Sequence, residues 1–177
     1  MKGVLFTVLE EVVVERFGED TWDTVLQRAG LMGSYTSLGD YPDADLGAVV
    51  QGLADTLGLP TNDVLVVGGT LSFAVLVARH SYVMEGMHTW QDVLLHLSDI
   101  IHPEVRKIYP RADAPEFVIT PTESGGLQLQ YLSNRRLCRL AEGLTRGAGD
   151  WFKTPVEVEH LLCLENGDDQ CLLSISS

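Results

Sequence analysis

Basic residues are scarce in this sequence: 12 lysines and arginines stand against 25 aspartates and glutamates in 177 residues, a formal net charge of −13. Affinity for a phosphate backbone rests largely on Lys and Arg, so general nucleic-acid binding is excluded. Long hydrophobic runs are missing as well. The longest, around Val64–Val77, is broken by Gly68 and Gly69 and reads as too short to span a bilayer, so no membrane role is expected. The start at Met1-Lys2-Gly3 lacks a charged region leading to a cleavage site, which points to a cytoplasmic protein without a signal peptide. Cysteine is limited to Cys138, Cys163 and Cys171, an odd number that suits no disulfide framework. A phosphate-cradling P-loop and a nucleophile–base constellation are both absent, so no enzyme is expected.

What is present fits one globular domain. The hydrophobic fraction is 45% and the charged fraction 21%, enough to build a sizeable core. The acid is uneven. Residues 1–60 carry a net −7 and residues 151–177 a net −4, whereas residues 101–150 come to +1 and hold Arg106, Lys107, Arg111, Arg135, Arg136, Arg139 and Arg146. Clustered positive charge can focus field on a small anion, but on charge alone a solvated balancing surface is the favoured reading.

Helical spacing dominates the first hundred residues. It predicts helices over Lys2–Phe17, Asp20–Ala29, Asp43–Leu57, Thr61–Arg79 behind Pro60, and Thr89–Ile101. The pattern changes after Pro110. Alternation predicts strands at Glu116–Thr120 and Gly126–Leu132 around Ser124-Gly125-Gly126, and at Val156–Glu165 and Gln170–Ile175 around Asn166-Gly167. A helix over Arg135–Phe152 separates the two hairpins. The expected fold is α+β: a mostly helical lobe of about residues 1–60, and a lobe of about 61–177 with a four-stranded antiparallel sheet and a long helix.

Two constellations carry chemistry. His160, Cys163 and Cys171 share the last hairpin, with Cys138 one helix earlier; three thiolates and an imidazole form a closed tetrahedral zinc shell. A turn centred on Gly167 sets Cys163 opposite Cys171, but His160 lies three residues from Cys163 and needs a bulge or bend to join them. The spacing alone leaves zinc and small buried hydrophobes both open. The second constellation begins at His102, placed by the pattern just after a helix and before Pro103, where a histidine commonly complements the helix dipole. Downstream, Tyr131, Ser133 and Arg135 alternate at a strand end and converge as a clamp for carboxylates. One axial imidazole and one carboxylate clamp match the needs of a heme, which takes a proximal iron ligand and donors for its propionates.

At these residues the sequence resembles the heme nitric-oxide/oxygen-binding (H-NOX) domain, a sensor module related to the heme domain of soluble guanylate cyclase. The family motif stands here as His102, Pro115 and Tyr131-Leu132-Ser133-Asn134-Arg135. The likeness extends through MKGVLFTVLEEVVVERFGEDTWD, YTSLGDYP and SDIIHPEVRKIYP, and so covers essentially the whole chain. It implies heme b between the two lobes, ligated by His102, distorted by Pro115 and held through its propionates by Tyr131, Ser133 and Arg135, with Asp45 buttressing Arg135. It also implies a C-terminal zinc on Cys138, His160, Cys163 and Cys171, as in some bacterial members, with a structural role or a thiol-redox one.

Oxygen-binding members supply a distal Tyr from the helix that spans Arg135–Phe152 here. This one offers Leu140 and Leu144 instead, and the other segments expected on the distal side offer Val4, Leu5, Val8, Leu9, Ala74 and Ala78, again without a donor. Tyr82, His80 and His88 are formal candidates with nothing to place them at the iron. The expectation is a five-coordinate ferrous heme that takes NO and CO but forms no stable O2 complex. In the family, NO weakens or breaks the iron–His bond and the lobes shift. The chain ends at Ser177 without a catalytic domain, so the resemblance implies a histidine kinase or cyclic-di-GMP enzyme in trans. The rival readings are a zinc/thiol redox sensor, an O2-binding heme sensor and a heme enzyme, the last lacking a distal His–Arg pair.

Overall fold

In the computed structural model the described residues are 1–109 and 112–177; Pro110, where the sequence pattern changes, and Arg111 of the basic stretch lie outside them. The architecture is α+β. Helices α1 (Gly3–Phe17), α2 (Glu19–Ala29), α3 (Asp43–Leu57) and α4 (Thr61–Arg79) come first. Next are α5 (Trp90–Leu95) and α6 (His102–Ile108), then strands β1 (Glu116–Pro121) and β2 (Leu127–Leu132). Helix α7 (Cys138–Trp151) precedes β3 (Glu157–Leu162) and β4 (Cys171–Ser176). The four strands form one antiparallel sheet in the order β1-β2-β4-β3, so the two hairpins join through β2 and β4.

Apolar periodicity decides which faces are buried. Phe6 and Val13 of α1, Trp22 and Val25 of α2, and Val49 and Leu53 of α3 close an N-terminal core. Leu129 and Tyr131 of β2, Cys171, Leu173 and Ile175 of β4, and Trp90 of α5 close a second core under the sheet. Helix α4 runs between the two, giving Val64 to the first and Phe73 and Val77 to the second. It crosses α7 at van der Waals distance because both helices carry glycine there: a Cβ on Gly143 would lie 2.2 Å from the Val66 carbonyl oxygen, and one on Gly69 2.7 Å from that of Leu140. At 19 residues α4 is long enough to cross a bilayer, against the sequence reading, which took the glycines as a break. Gly68 and Gly69 are helical, within the helix expected over Thr61–Arg79, and the close crossing explains why a small residue stands at Gly69.

Three further elements depart from the periodicity. The single helix expected over Thr89–Ile101 is α5 followed by a wide π-type turn at Leu97–Ile101, and the chain then runs directly into α6. Proline at 103 has no N–H to donate back to residue 99, and its ring crowds that carbonyl, so the ladder widens before resuming. Thr89 caps α5 by accepting the Asp92 N–H, while the Asp92 carboxylate accepts the Thr89 N–H, a reciprocal box that fixes this entry. The helix expected from Arg135 starts at Cys138, because Ser133–Arg136 forms a turn with Arg136 at φ 54°. The strand expected to reach Glu165 stops at Leu162, where its pairing with β4 slips by one residue after His160.

Candidate functional site

His102 is the first residue of α6, with Pro103 in the first turn. The helix-end reading is therefore corrected: α6 opens at His102 directly out of the wide turn, with the His102 N–H bonded to the Leu97 carbonyl, so the imidazole lies inside one continuous helical run. Burial, then the charge of Arg106, hold its imidazole down at a pKa of about 4, so at neutral pH it is an unprotonated base. Its ring makes no hydrogen bond among the described residues. The ring lies against Phe117 of β1 at 5.7 Å between centroids, and Phe117 in turn meets Tyr131 edge-on at 5.7 Å. One aromatic chain thus links the histidine to the clamp.

Tyr131 is the penultimate residue of β2 and is buried, its hydroxyl accepting the Leu137 N–H at 3.2 Å. Burial raises the phenol above its usual range, while hydrogen bonding with Ser133 and the nearby Arg135 charge oppose that shift. Strand alternation is not what brings Ser133 and Arg135 to the same place. Both lie past the end of β2, in a turn where the Ser133 hydroxyl accepts the Arg135 N–H at 3.3 Å. The Arg135 guanidinium donates to Asp43 through Nε at 2.7 Å, and it pairs with the Asp113 carboxylate at 3.0 Å and contacts the Asp113 carbonyl. Asp43 replaces Asp45 as its buttress. Asp45 lies about 200° further round α3 and so faces elsewhere; its charge acts on Tyr35. The Asp43 carboxyl is held below its usual range first by the N-terminal ammonium, 2.7 Å away, and also by Arg135. Pro115, Ser133 and Arg135 line an open cleft of about 590 Å³ together with Met1, Leu46 and Leu137.

The apolar residues expected on the distal side do not all assemble. Val4 and Val8 are buried and, with Leu5, pack against Val105, Ile108 and Tyr109 of the His102 helix. Leu9 joins the N-terminal core, Leu144 the sheet core, and Leu140 is half-buried on α7. Ala74 and Ala78 are exposed on the outer side of α4, and Ala74 lines a different groove beside Trp151. Of the formal donors, His80 is bonded to the Tyr109 hydroxyl at 3.1 Å, Tyr82 is half-exposed, and His88 is exposed.

At the other end of α7, Cys138, Cys163 and Cys171 are fully buried, their sulfurs within 4.8 Å of one another. The Cys138 and Cys163 sulfurs are 3.7 Å apart. A tetrahedral zinc with bonds of about 2.3 Å separates its sulfurs by about 3.8 Å, so this spacing fits. Cys171 accepts the Leu164 N–H at 3.4 Å, and the Asp168 carboxylate accepts the Cys163 N–H at 2.7 Å, which fixes the loop. Burial pushes the Cys138 thiol up. At Cys163 burial also acts upward, but the Glu165 N–H, His160 and the two other sulfurs bring the thiol down on balance. His160 stands beside this group, its Nε2 donating to Glu142 at 3.0 Å and its buried Nδ1 without a partner among the described residues. Sequence reasoning missed Glu142, as well as Asp43, Asp113 and Phe117. Only Glu142 left a legible trace, the spacing Arg139-x2-Glu142-x3-Arg146 on one helix face.

Comparison with known proteins supplies the context. The family model described as Haem-NO-binding matches residues 2–160. An H-NOX protein from S. oneidensis in the Fe(II)NO ligation state is 32% identical, with 99% of this chain and 98% of that one covered at a TM-score of 0.92. The Shewanella oneidensis H-NOX domain in the Fe(II)CO state is 33% identical, with 99% and 98% covered at 0.90. The unliganded Fe(II) H-NOX protein from K. algicida is 27% identical, with 99% and 96% covered at 0.85. No curated protein matches. The match in fold and sequence is to heme-binding gas-sensor domains. The chain belongs to the Haem-NO-binding, or H-NOX, family.

Proposed function

We propose that this chain is a single sensor domain for NO and CO that carries heme b on His102. The observation that carries the reading is His102 itself: an unprotonated, half-buried imidazole without a hydrogen-bond partner among the described residues, joined through Phe117 to a hydroxyl-and-guanidinium clamp. The donor set fits the group, since a neutral lone pair is what an iron requires and Arg135 already engages carboxylates through two faces. When bound, the heme supplies the iron at which the gas is taken up.

The chain's own residues do the rest. His102 would offer its lone pair to the iron, Pro115 would contact the porphyrin, and Tyr131, Ser133 and Arg135 would hold the propionates. Because Val105, Ile108 and Tyr109 pack with Val4 and Val8, any displacement of His102 on gas uptake would pass along α6 to α1. The altered surface then signals to a separate cytoplasmic protein, of the histidine kinase or cyclic-di-GMP enzyme class. The lack of a tyrosine on α7, the helix that supplies one in O2-binding members, supports NO and CO over a stable O2 complex. Absorption spectra of the ferrous protein alone and with CO, NO and air, repeated for His102→Gly, test this. Gas-dependent shifts that vanish in the variant are expected; an oxy spectrum in air refutes the preference for NO and CO over O2, and no heme uptake refutes the whole.

Zinc on Cys138, His160, Cys163 and Cys171 completes the proposal, tying α7 to the last hairpin. The closeness of the three thiols also favours a second reading, a thiol redox sensor that acts through zinc loss. Cys138→Ser that abolishes signalling while NO binding persists selects that reading.

A further inference from the structure

Glu142 is the one buried carboxylate among the described residues, 5% exposed on α7. A buried carboxylate is costly unless it is paired, and this one is paired threefold. Its Oε2 accepts from Arg139 at 3.0 Å and from His160 Nε2 at 3.0 Å, while its Oε1 accepts from Arg146 Nε at 3.0 Å. Arg139 reaches on to Glu165, 3.6 Å away in the cysteine loop. Two guanidinium groups on one carboxylate keep it ionised, so it can only accept. The His160 nitrogen facing it must therefore carry the proton.

That assignment decides the other ring nitrogen. With the proton on Nε2, a neutral His160 has its lone pair on Nδ1, which is buried and without a partner among the described residues. The same ring interacts with Cys163, one of the three clustered thiols, which puts the orphan nitrogen on the side chain next to that cluster. A histidine that ligates a metal through one nitrogen commonly donates the other N–H to a carboxylate, which sets its tautomer and raises its basicity. We propose that Glu142 is the positioning residue of the zinc site: it locks His160 with Nε2 protonated and Nδ1 free to complete the three sulfurs, and Arg139 and Arg146 hold it in place. The inference rests on the zinc reading above and adds to it. Because Glu142 shares α7 with Cys138, one helix supplies both a sulfur and the orienting group for the imidazole.

The test is zinc competition against a chromogenic chelator on the full chain, together with ring-nitrogen NMR of His160. Wild type with zinc should show Nδ1 bound and Nε2 protonated. Glu142→Gln keeps the volume but loses the charge and both arginine pairs, and should bind zinc about 10–100-fold more weakly, with loss of the single tautomer. Glu142→Asp should recover part of the affinity. Arg146→Gln, which changes a more exposed partner, should give a smaller loss in the same direction and serves if the Glu142 variants do not fold. Wild-type zinc binding with unchanged affinity and tautomer in Glu142→Gln and Arg146→Gln overturns the positioning role alone. Failure of wild type to bind zinc overturns the zinc reading and this inference with it.

Discussion

Neighbouring glycines on α4 and its partner should respond to alanine with opposite signs. A Cβ at Gly143 would lie 2.2 Å from the Val66 carbonyl oxygen, 2.9 Å from the Gly69 Cα and 3.0 Å from the Thr70 nitrogen, all of them backbone atoms that no rotamer change can move. Ordinary contact needs about 3.3 Å or more, so the α4–α7 crossing must open by about 1 Å, which loosens packing along the whole seam. Overpacking of this kind costs about 1–3 kcal/mol, against a helix-propensity gain of about 1 kcal/mol for replacing Gly. Because the clash is with a helix backbone, the upper end of that cost applies and Gly143→Ala is expected to lose about 2 kcal/mol, a fall of about 4–8 °C in thermal midpoint for a chain of this size. Gly68→Ala is the control, on α4 but facing α1 rather than the α7 seam. Its Cβ would meet only the Leu9 Cδ1 at 3.7 Å, so the propensity term stands alone. A gain of about 0.5–1 kcal/mol is expected there. Circular-dichroism melts of both variants under one buffer decide the matter. A midpoint for Gly143→Ala at or above wild type refutes the claim that backbone contact fixes this crossing.

Two other outcomes follow from the local electrostatics. The Asp92 carboxyl is held below its usual range chiefly by the His88 N–H, with further help from Thr89, so the cap stabilises α5 fully above the ordinary carboxylate pKa and fades as pH falls through the lowered value. Asp92→Asn should cost about 1 kcal/mol at pH 7 and less under strong acid, measured by urea unfolding at both pH values; an equal loss at both excludes the charge. Arg135→Gln removes partners on both Asp43 and Asp113. It should speed heme transfer to a scavenging globin while costing the heme-free chain only about 1 kcal/mol, because both carboxylates are substantially exposed; an unchanged transfer rate removes Arg135 from the clamp.

Much of this protein can be read along the chain. Helical periodicity gives α3 and α4 to the residue, and the two Gly-containing turns give both hairpins, because each signal is local: apolar spacing, a φ that glycine permits, a proline in a first turn. The residue types for the site are equally visible, since the imidazole, the hydroxyls, the guanidinium and the thiols each announce a chemistry. Direction and partnership are not visible. Whether His102 ends one helix or begins another turned on a hydrogen-bond ladder that Pro103 forces open. Which aspartate meets Arg135 turned on where the first turn of α3 docks, a contact across 92 residues. Sequence alone determined the elements and the chemical inventory, because propensity and side-chain chemistry belong to single residues and near neighbours. Only the tertiary structure decided that Ala74 and Ala78 face outward, that Asp43 rather than Asp45 reaches the clamp, and that Glu142 stands behind His160. Burial and pairing are properties of surfaces brought together from distant parts of the chain.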